Sequence, residues 1–406
     1  MTILHCERGI KMKRVGLVSV ALTMMMVAST LAGCGGDGGS PKGGSNGKNL
    51  KVAIICSAAG QNDNGYNQTA IEGAKKAEKD FGIEYKVVEP TTGVPKALES
   101  LADDGYQIIF NLEYDFEALI NGTGGADAIA KMYPDTTFVC MNDNPNKDSE
   151  GNQIHDNVIS VLFDVHESSF VAGALTTLVN ENAMELFGDT DYKFTETESG
   201  GRSVGFIGGT NSNGITVFSY GYIEGINYEA EKLGVNYDYY SKYDAGFADS
   251  ATGSTVAGTY YNQGANVVFA VAGAVGDGVA SKAKEEGKLA IQVDANKDAQ
   301  QPGYILTSVM KNTDVPVYEI VKAANEGKLG SMDRVQTYSL ASGATSITDL
   351  EEISKHVQES GKEKWEEIKA EIKDVESKIA DGTIKVTNAQ NGEEFDLSKC
   401  PNVKIK

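Results

Sequence analysis

The chain has 406 residues, of which 57 are acidic and 36 are Lys or Arg, so its net charge is −21. Such an acidic chain repels phosphate backbones, which argues against a nucleic-acid-binding protein. Hydrophobic residues make up 41% of the sequence, which excludes an intrinsically disordered chain and is enough for the cores of two domains.

The N-terminal segment has the organisation of a bacterial signal peptide. Lys13 and Arg14 form a positive n-region, residues 15–31 form an apolar h-region, and Leu31-Ala32-Gly33-Cys34 is a small-residue cleavage site that ends in cysteine. Because the apolar run is shorter than the ~20 residues of a membrane span, we favour cleavage over a transmembrane anchor. We therefore predict a signal peptide over residues 1–33. A lipid on Cys34 would hold the protein on the extracytoplasmic face of the cell membrane.

Four further features of the sequence bear on the processed chain. Residues 1–11 fit no part of the signal pattern, so we expect translation to start at Met12. Residues 34–48 are rich in Gly with Ser, Asn and Asp, and predict a flexible tether with a reach of ~20 Å. Removing residues 1–33 takes away four Lys or Arg and one Glu, which leaves 32 positive and 56 negative side chains and a net charge of −24. The remaining cysteines, Cys56, Cys140 and Cys400, show no paired spacing, which argues against a disulfide framework.

Short β-branched or aromatic runs then alternate with helix-length patterns, which is typical of βαβ units and a parallel sheet. In the first helix Ile71, Ala74, Ala77 and Phe81 recur on one face, and Gly82 follows at the C-cap position. The predicted strands of this first α/β lobe span residues 52–56, 85–88, 107–112 and 137–141.

The same alternation restarts after a polar, turn-rich stretch and predicts a second α/β lobe. Its strands are predicted at 158–163, 204–207, 237–240, 267–271 and 290–293, with helices at 167–180, 215–232, 249–262 and 277–286. A further strand at 305–310 and a helix at 315–326 follow. We predict an N-terminal lobe of residues 49–145 plus 296–335 and a C-terminal lobe of residues 146–295 plus 336–406.

A charged helix near the C terminus carries one apolar stripe. The stripe covers only about two heptads, so we favour packing on the body of the protein over a coiled-coil seam, and we expect a monomer. Its members are Trp365, Ile368, Ile372, Val375 and Ile379.

The sequence patterns do not point to an enzyme. Gly201-Arg202-Ser203-Val204-Gly205 matches a serine-hydrolase elbow, but the predicted strand follows this motif instead of preceding it. The histidines after the signal segment, His155, His166 and His356, show no zinc spacing, and we expect His166 at the start of a helix rather than in a catalytic site. We predict no catalytic residue, no metal and no cofactor.

Five blocks of sequence resemble the basic membrane protein family of lipoprotein solute receptors, which includes the purine nucleoside receptor. They stand in the family's order and at roughly its spacing, within a likeness that covers about residues 51–387. The blocks are Gly60-Gln61-Asn62-Asp63-Asn64-Gly65-Tyr66-Asn67-Gln68, Ser168-Ser169-Phe170-Val171-Ala172-Gly173-Ala174-Leu175, Val204-Gly205-Phe206-Ile207-Gly208-Gly209, Ala272-Gly273-Ala274-Val275-Gly276-Asp277-Gly278 and Leu306-Thr307-Ser308-Val309-Met310-Lys311.

The resemblance implies a type I periplasmic-binding-protein fold, with two doubly wound lobes joined by three crossovers. It also implies a function, the capture of a nucleoside or a similar ring-plus-polyol solute between the lobes for delivery to an ABC permease. Three alternatives stay open: a sensor that docks on a membrane kinase, a binding protein for a sugar or another small solute, and, less favoured, an extracytoplasmic nucleoside hydrolase.

Candidate ligand-binding residues follow the predicted strands, because ligands of open α/β sheets lie beyond the carboxyl ends of strands. A flat base gains from aromatic faces, and ribose hydroxyls need carboxylate or amide partners in a desolvated pocket. The candidates at these strand ends are Asp63, Tyr66, Asn67, Tyr114, Asp143, Phe269, Gly273 and Asp294.

The resemblance gives several of these residues a role. Tyr66 takes the position of the family's stacking phenylalanine, with Asn67 beside it as a hydrogen-bonding group. Asp294 resembles the aspartate that holds ribose hydroxyls, and Lys311 resembles the lysine nearby. Either Asn142 or Asp143 could fill an acidic position after the fourth strand.

Other positions either allow two interpretations or depart from the family's residues. We consider Phe269 either the aromatic of the opposite lobe or a core residue. Gly273 would let the backbone approach the ligand, although a plain tight turn explains it equally well. Ser57 stands where the family usually has an aspartate, and Asn64-Gly65 stands where it has Lys-Ser, so purine specificity does not follow from the resemblance.

Overall fold

The computed structural model describes residues 50–406. The predicted signal peptide, the predicted start at Met12, the predicted lipid on Cys34 and the predicted tether therefore lie outside the described residues. The strands are β1 (Lys51–Ile55), β2 (Glu84–Val88), β3 (Ile108–Asn111), β4 (Thr137–Met141), β5 (Val158–Phe163), β6 (Ser203–Gly208), β7 (Tyr237–Lys242), β8 (Val267–Val271), β9 (Leu289–Asp294), β10 (Ile305–Lys311), β11 (Val335–Tyr338), β12 (Thr345–Ile347) and β13 (Val403–Ile405).

Within residues 50–406, twelve α-helices accompany these strands. They are α1 (Tyr66–Phe81), α2 (Val94–Asp103), α3 (Glu117–Ile120), α4 (Ile129–Met132), α5 (Val165–Glu181), α6 (Ala183–Phe187), α7 (Asn213–Leu233), α8 (Ser250–Asn262), α9 (Ala274–Glu286), α10 (Asp314–Asn325), α11 (Glu351–Ser354) and α12 (Lys362–Ala380). The five long helices that we predicted between strands of the second lobe and after β10 are confirmed to within a few residues.

The strands form two sheets, one in each lobe. The first has the order β11-β5-β4-β3-β1-β2 and is parallel throughout. The second has the order β12-β10-β9-β8-β6-β7-β13 and is parallel except for the pair of β10 and β12. The central strands are buried from end to end, as expected for parallel sheets with helices on both faces. The predicted α/β fold of two parallel-sheet lobes is confirmed.

The chain crosses between the lobes three times: at Asp164 after β5, at Asn312–Thr313 after β10, and at residues 339–344 after β11. Backbone hydrogen bonds tie these crossovers together, from Asp164 N–H to the Tyr338 carbonyl (2.8 Å) and from Asn312 N–H to the Ala344 carbonyl (3.0 Å). The three neighbouring crossovers form the hinge on which the lobes are joined.

The predicted lobe boundaries at 146 and 296 need correction. β5 pairs with β4 and so belongs to the first sheet, whereas β10 pairs with β9 and so belongs to the second. The sheets therefore place residues 50–163 and 314–338 in the N-terminal lobe, and residues 165–311 and 345–406 in the C-terminal lobe. Both misplaced strands are short and almost entirely buried, and β10 has Thr307, Ser308 and Lys311 among its apolar residues, so hydrophobicity alone does not assign either strand to one sheet.

α5 and α7 pack closely in the second lobe, and this packing positions one wall of the interlobe space. A Cβ atom at Gly173 or Gly225 would overlap the backbone of the opposite helix, which is why these positions are glycine. Ile215 and Phe218, in the first two turns of α7, border the space between the lobes. On the other side of α5, α12 buries the whole predicted stripe from Trp365 to Ile379, so packing on the body is confirmed over a coiled-coil seam.

The segment of residues 183–202, between α5 and β6, covers the amino-end edge of the second sheet. Its backbone meets residues that precede strands: Lys193 N–H donates to the Gly287 carbonyl (2.9 Å), and Thr195 N–H to Asn266 Oδ1 (2.8 Å). The Tyr192 hydroxyl donates to the Gly303 carbonyl (2.6 Å). This segment therefore caps the second lobe at the end opposite to the carboxyl ends of its strands.

Candidate functional site

A cavity of about 520 Å³ lies between the lobes, at the carboxyl ends of both sheets. The first lobe contributes the residues after β1, β3 and β4, and the second lobe contributes those after β6, β7, β8, β9 and β10. Eight of the predicted ligand-binding residues line this space: Ser57, Asp63, Tyr66, Tyr114, Asp143, Gly273, Asp294 and Lys311. The two lobes touch at its edge, where a Cβ on Gly65 would lie 3.5 Å from Asp294 Cβ.

The loop after β1 is held by two side chains that we had predicted to bind ligand. The Asp63 carboxylate accepts hydrogen bonds from the N–H groups of Gly65 (3.1 Å), Asn67 (2.9 Å) and Gln68 (3.0 Å), which satisfies free donors at the start of α1. The Asn67 amide accepts from Ser57 N–H and donates to Ser57 Oγ and the Gly60 carbonyl, each at 2.9 Å.

These bonds change the predicted role of Asn67. The residue is fully buried and does not line the cavity, since its amide is used inside the loop. Asp63 borders the cavity, but its oxygens serve the backbone of α1. Both residues thus fix the position of Tyr66, the first residue of α1, rather than presenting free groups to a ligand.

Tyr66 presents its ring to the cavity. Its hydroxyl is buried and has no hydrogen-bond partner within residues 50–406. Burial raises the pKa of this phenol well above its usual value, with nearby Tyr114 and Asp294 adding to the effect. Tyr66 therefore carries a neutral O–H group that is available to a bound molecule.

A second group of residues follows β3 and β4. Tyr114 lines the cavity with half of its side chain exposed, and Asn142 Nδ2 donates a hydrogen bond to its hydroxyl. Asn142 itself is buried behind Tyr114, with a left-handed backbone (φ 66°), so of the two alternatives after β4 it is Asp143 that lines the cavity. Glu113 also lines it, and we had not predicted this residue.

The aromatic residues of the second lobe differ from the prediction. Phe269 lies in the middle of β8, is completely buried, and packs edge-on against Tyr222 and Phe206 at ring-centroid distances of 5.1 and 5.5 Å. Of the two alternatives for Phe269, the structure therefore supports the core residue and not the ligand contact. Phe218 in α7 and Phe247 in the loop after β7 line the cavity instead.

A signal for Phe218 was present in the sequence, but none was present for Phe247. Phe218 lies in the second turn of a helix that begins directly after a strand, and such helix starts lie beside the ligand in α/β folds. Phe247 reaches the cavity because Gly273, at φ 53°, leaves room for its backbone: a Cβ there would lie 2.8 Å from the Phe247 carbonyl oxygen.

Asp294 and Lys311 form the charged part of the cavity. Lys311 Nζ lies 3.9 Å from Asp294 Oδ1, which is within ion-pair range but too long for a hydrogen bond. The ammonium lies 5.2–5.9 Å from the ring centroids of Phe218, Tyr66 and Phe163. Burial lowers the pKa of Lys311, and the nearby Asp294 carboxylate opposes that shift.

The backbone at Asp294 supports a functional role for this residue. Its φ of 74° lies in the left-handed region, which a non-glycine residue adopts at some energetic cost. Together the cavity offers aromatic faces from both lobes, unused acceptor oxygens and one buried cation. Such a set of groups can bind a flat ring and neighbouring hydroxyl groups.

His166 lies in the first turn of α5, as predicted, and is buried outside the cavity lining. Desolvation lowers the pKa of its imidazole to about 4. Within the described part of the chain, no helix combines the length and the apolar character that crossing a bilayer requires.

Comparisons with known proteins agree with the fold. Residues 50–382 match a family model described as Bmp, ABC transporter substrate-binding protein PnrA-like. An uncharacterized lipoprotein of Pyrococcus furiosus is 27% identical over 95% of this chain and 96% of its own length. The ABC transporter nucleoside-binding protein BmpA of Lactococcus lactis is 28% identical over 82% of this chain and 90% of its own.

Solved structures show the same architecture at lower identity. A solute-binding protein of an ABC transporter system from Aeropyrum pernix aligns with a TM-score of 0.67 at 22% identity, over 83% of this chain and 92% of its own. A periplasmic solute-binding protein from Actinobacillus succinogenes, solved with bound D-allose, aligns with a TM-score of 0.55 at 13% identity, over 75% of this chain and 99% of its own. These likenesses support the type I periplasmic-binding-protein fold.

Proposed function

The chain belongs to the Bmp family of PnrA-like substrate-binding proteins of ABC transporters, and from that premise we propose that its ligand is a nucleoside. Proteins of this family bind solutes and are not enzymes. The observation that carries the nucleoside proposal is the combination of Tyr66 and Phe218, from opposite lobes, with Asp294 and Lys311 in one cavity. The relative named as a nucleoside-binding protein adds to it.

In the proposed complex the base lies against the aromatic side chains and the ribose lies against the charged pair. Aromatic faces stabilise a flat base by stacking. The Asp294 carboxylate accepts hydrogen bonds from ribose hydroxyls, and the Lys311 ammonium donates to their oxygens. A ligand that lacks one of these hydroxyls leaves Asp294 or Lys311 without a partner in the cavity, which costs free energy, so it binds less well.

Two carboxylates define the proposed contact with the edge of the base. Ser57 Oγ already accepts a hydrogen bond from Asn67, so it is a poor substitute for the acceptor that related receptors have at this position. Glu113 and Asp143 both line the cavity and offer acceptor oxygens for N–H groups. We propose that they select bases with N–H donors on the exposed edge.

Closure of the lobes on the ligand would couple binding to transport. A ligand that contacts both lobes binds the closed form more tightly and so shifts the population toward it. An ABC permease would recognise that form, with the protein held at the membrane by a lipid on Cys34. A sensor that docks on a membrane kinase would use the same closure. Finding a permease gene beside the gene for this chain would favour transport over sensing.

Native mass spectrometry followed by calorimetry tests the ligand class. The gently purified protein is first weighed to find any ligand that remains bound, and purine and pyrimidine nucleosides and simple sugars are then titrated. Tight binding of a nucleoside supports the proposal. Tight binding of a sugar with no response to any nucleoside refutes the ligand class, and release of free base revives a hydrolase.

A matched pair of variants tests the contact with the base. Glu113→Gln replaces a carboxylate that lines the cavity, whereas Glu117→Gln changes an exposed carboxylate in the following helix. We expect the first variant to lose preference among nucleosides and the second to keep it. Equal preference in both variants would remove Glu113 from the site.

A further inference from the structure

The segment that follows α12, residues 381–396, runs back along the second lobe toward the hinge. We call it the C-terminal segment. Its Thr387 donates two hydrogen bonds to the Glu224 carboxylate of α7, from N–H (2.9 Å) and from Oγ1 (2.5 Å). Phe395 stacks on Tyr220 of the same helix, with ring centroids 4.3 Å apart and planes within 5°. The segment is therefore fixed to α7 at two points.

Between these two points the segment reaches across to the first lobe. Residues 389–391 form a tight turn, closed by a hydrogen bond from Asn391 N–H to Asn388 Oδ1 (3.2 Å). In that turn Gln390 Nε2 donates to the backbone carbonyl of Asn142 at 2.8 Å. Asn142 directly follows β4 of the first sheet, so this hydrogen bond joins the two lobes at a point outside the three crossovers.

A neighbouring contact ties the segment to the hinge itself. Asn388 Nδ2 donates to Asp164 Oδ1 at 3.0 Å, and Asp164 is the first crossover between the lobes. The turn at residues 389–391 is thus held to the second lobe by Thr387, to the hinge by Asn388 and to the first lobe by Gln390.

The residue that receives the Gln390 bond also supports the cavity. Asn142 has a left-handed backbone, its N–H donates to the Val161 carbonyl (2.7 Å), and its side chain donates to the hydroxyl of Tyr114. Because the Asn142 peptide is held on both sides, its side chain is aimed at Tyr114 in a fixed direction. A chain of hydrogen bonds therefore leads from Gln390 through Asn142 to an aromatic residue of the cavity.

We propose that Gln390 is a positioning residue that latches the closed protein and orients Tyr114 through Asn142. The inference rests on the proposed function insofar as the cavity between the lobes is the ligand site. Opening the lobes separates the second-lobe amide of Gln390 from the first-lobe carbonyl of Asn142. The bond therefore favours the closed form, and it acts on release of the ligand more than on its capture.

Gln390→Ala tests the latch, with Asn391→Ala as its control. Asn391 is the next residue of the same turn, its side chain is exposed, and only its backbone N–H takes part in the contacts described above. With the tightest nucleoside, we expect Gln390→Ala to raise the dissociation rate constant roughly fivefold to tenfold, as for one neutral hydrogen bond. The association rate constant, and both constants for Asn391→Ala, should stay near the wild-type values.

A double-mutant cycle separates positioning from a general loss of structure. Tyr114→Phe removes the hydroxyl that Asn142 holds, so the effects of Gln390→Ala and Tyr114→Phe on affinity should be non-additive if Gln390 acts through that contact. Melting temperatures of the ligand-free variants should match wild type, whereas a merely structural role would lower them.

Two results would overturn the latch. One is a dissociation rate for Gln390→Ala equal to that of Asn391→Ala, and the other is additive effects in the cycle. Both leave the proposed function standing, because wild-type protein would still bind the nucleoside. If wild type instead binds only a different solute, the nucleoside proposal fails, and the dissociation of that solute tests the latch in its place.

Discussion

Tyr66 is held in the cavity by its neighbours in the loop after β1, and its ring and its hydroxyl can be tested separately. Tyr66→Ala removes both, and we expect it to weaken nucleoside binding by about 1–3 kcal/mol, the range for base stacking on an aromatic side chain. Tyr66→Phe keeps the ring and should retain most of the affinity. Calorimetry measures both variants, and an unchanged affinity in Tyr66→Ala would remove this residue from the site.

A substitution of Lys311 allows the contribution of this residue to ligand binding to be measured separately from its contribution to stability. Its buried ammonium lies 3.9 Å from Asp294 without a direct hydrogen bond, and a poorly paired buried charge does not stabilise a fold. We expect Lys311→Met to weaken binding about 10- to 100-fold, since hydrogen bonds to charged groups contribute about 1.5–3 kcal/mol. The melting temperature without ligand should stay equal or rise.

The exposed Lys322→Met in α10 is the control for that substitution. It removes a positive charge at the surface and should change neither affinity nor melting temperature. A large loss of stability in Lys311→Met, with affinity unchanged, would show that Lys311 supports the fold and not the ligand.

The sequence predicted site residues well where chain order determines position. Asp294 and Lys311 end strands, Tyr66 begins the helix that follows β1, and the carboxyl ends of parallel strands meet at one edge of a sheet. The sequence left Phe269 open between the site and the core, because its neighbours in β8 are equally apolar and no pattern reveals which way the ring points. Phe247 was missed because its approach depends on the space beside Gly273, a contact between residues far apart in sequence.

Among the elements, the positions of the strands were easier to predict than the neighbouring strand with which each one pairs. The ten predicted strands all exist, whereas β11, β12 and β13 were missed because each has only three or four residues and little alternation. The exchange of β5 and β10 between the lobes has a similar cause. Which sheet a buried strand joins is decided by hydrogen bonds with strands that are distant in sequence. The hydrophobicity of the strand itself does not predict these bonds.

The hinge contains an acidic residue whose titration should be measurable. Burial, together with Glu167, raises the pKa of Asp164 to about 6, and the bond from Asn388 opposes the shift. Between pH 4 and 6 the folded protein therefore keeps a proton that the unfolded chain has lost. The contribution of Asp164 to stability is greatest below pH 4 and falls as the pH rises to 6.

Asp164→Asn should remove this dependence. A pKa difference of one unit corresponds to about 1.4 kcal/mol, and because Asp164 is only partly buried we expect the variant to gain about 1–2 kcal/mol relative to wild type between pH 4 and pH 7. Urea unfolding at several pH values measures it. His166 titrates in both proteins, so it cancels in the difference, and the exposed Glu394→Gln should follow the wild-type profile.

A substitution in helix α12 tests whether the apolar stripe of this helix stabilises the fold of one chain or a contact between chains. Ile372 is buried on the stripe, so Ile372→Ala should lower the free energy of unfolding by about 2–5 kcal/mol without changing the molecular mass in solution. The exposed Lys373→Ala on the same helix should cost little. A change of oligomeric state in Ile372→Ala would argue for a seam between chains.

At the scale of the whole molecule, the cavity and the proposed anchor serve one purpose. A receptor that must pass a solute to a membrane partner gains from a high effective concentration near that partner, which a flexible tether provides without new contacts. The proposed ligand site does not depend on the tether, because it is built from residues between 57 and 311 of the two packed lobes. Anchoring and binding should therefore be separable by mutation.

Cys34→Ala is the substitution that separates them. Without a thiol for the lipid, the protein should move from the membrane fraction to the soluble extracytoplasmic fraction, and nucleoside uptake at low concentration should fall in cells that depend on it. The affinity of the purified protein for its ligand should not change. Cys56→Ala, which alters a buried thiol at the end of β1, should leave the protein in the membrane fraction. If Cys34→Ala also stays there, the apolar segment before residue 34 is a transmembrane anchor, and the lipid is not what holds the protein at the membrane.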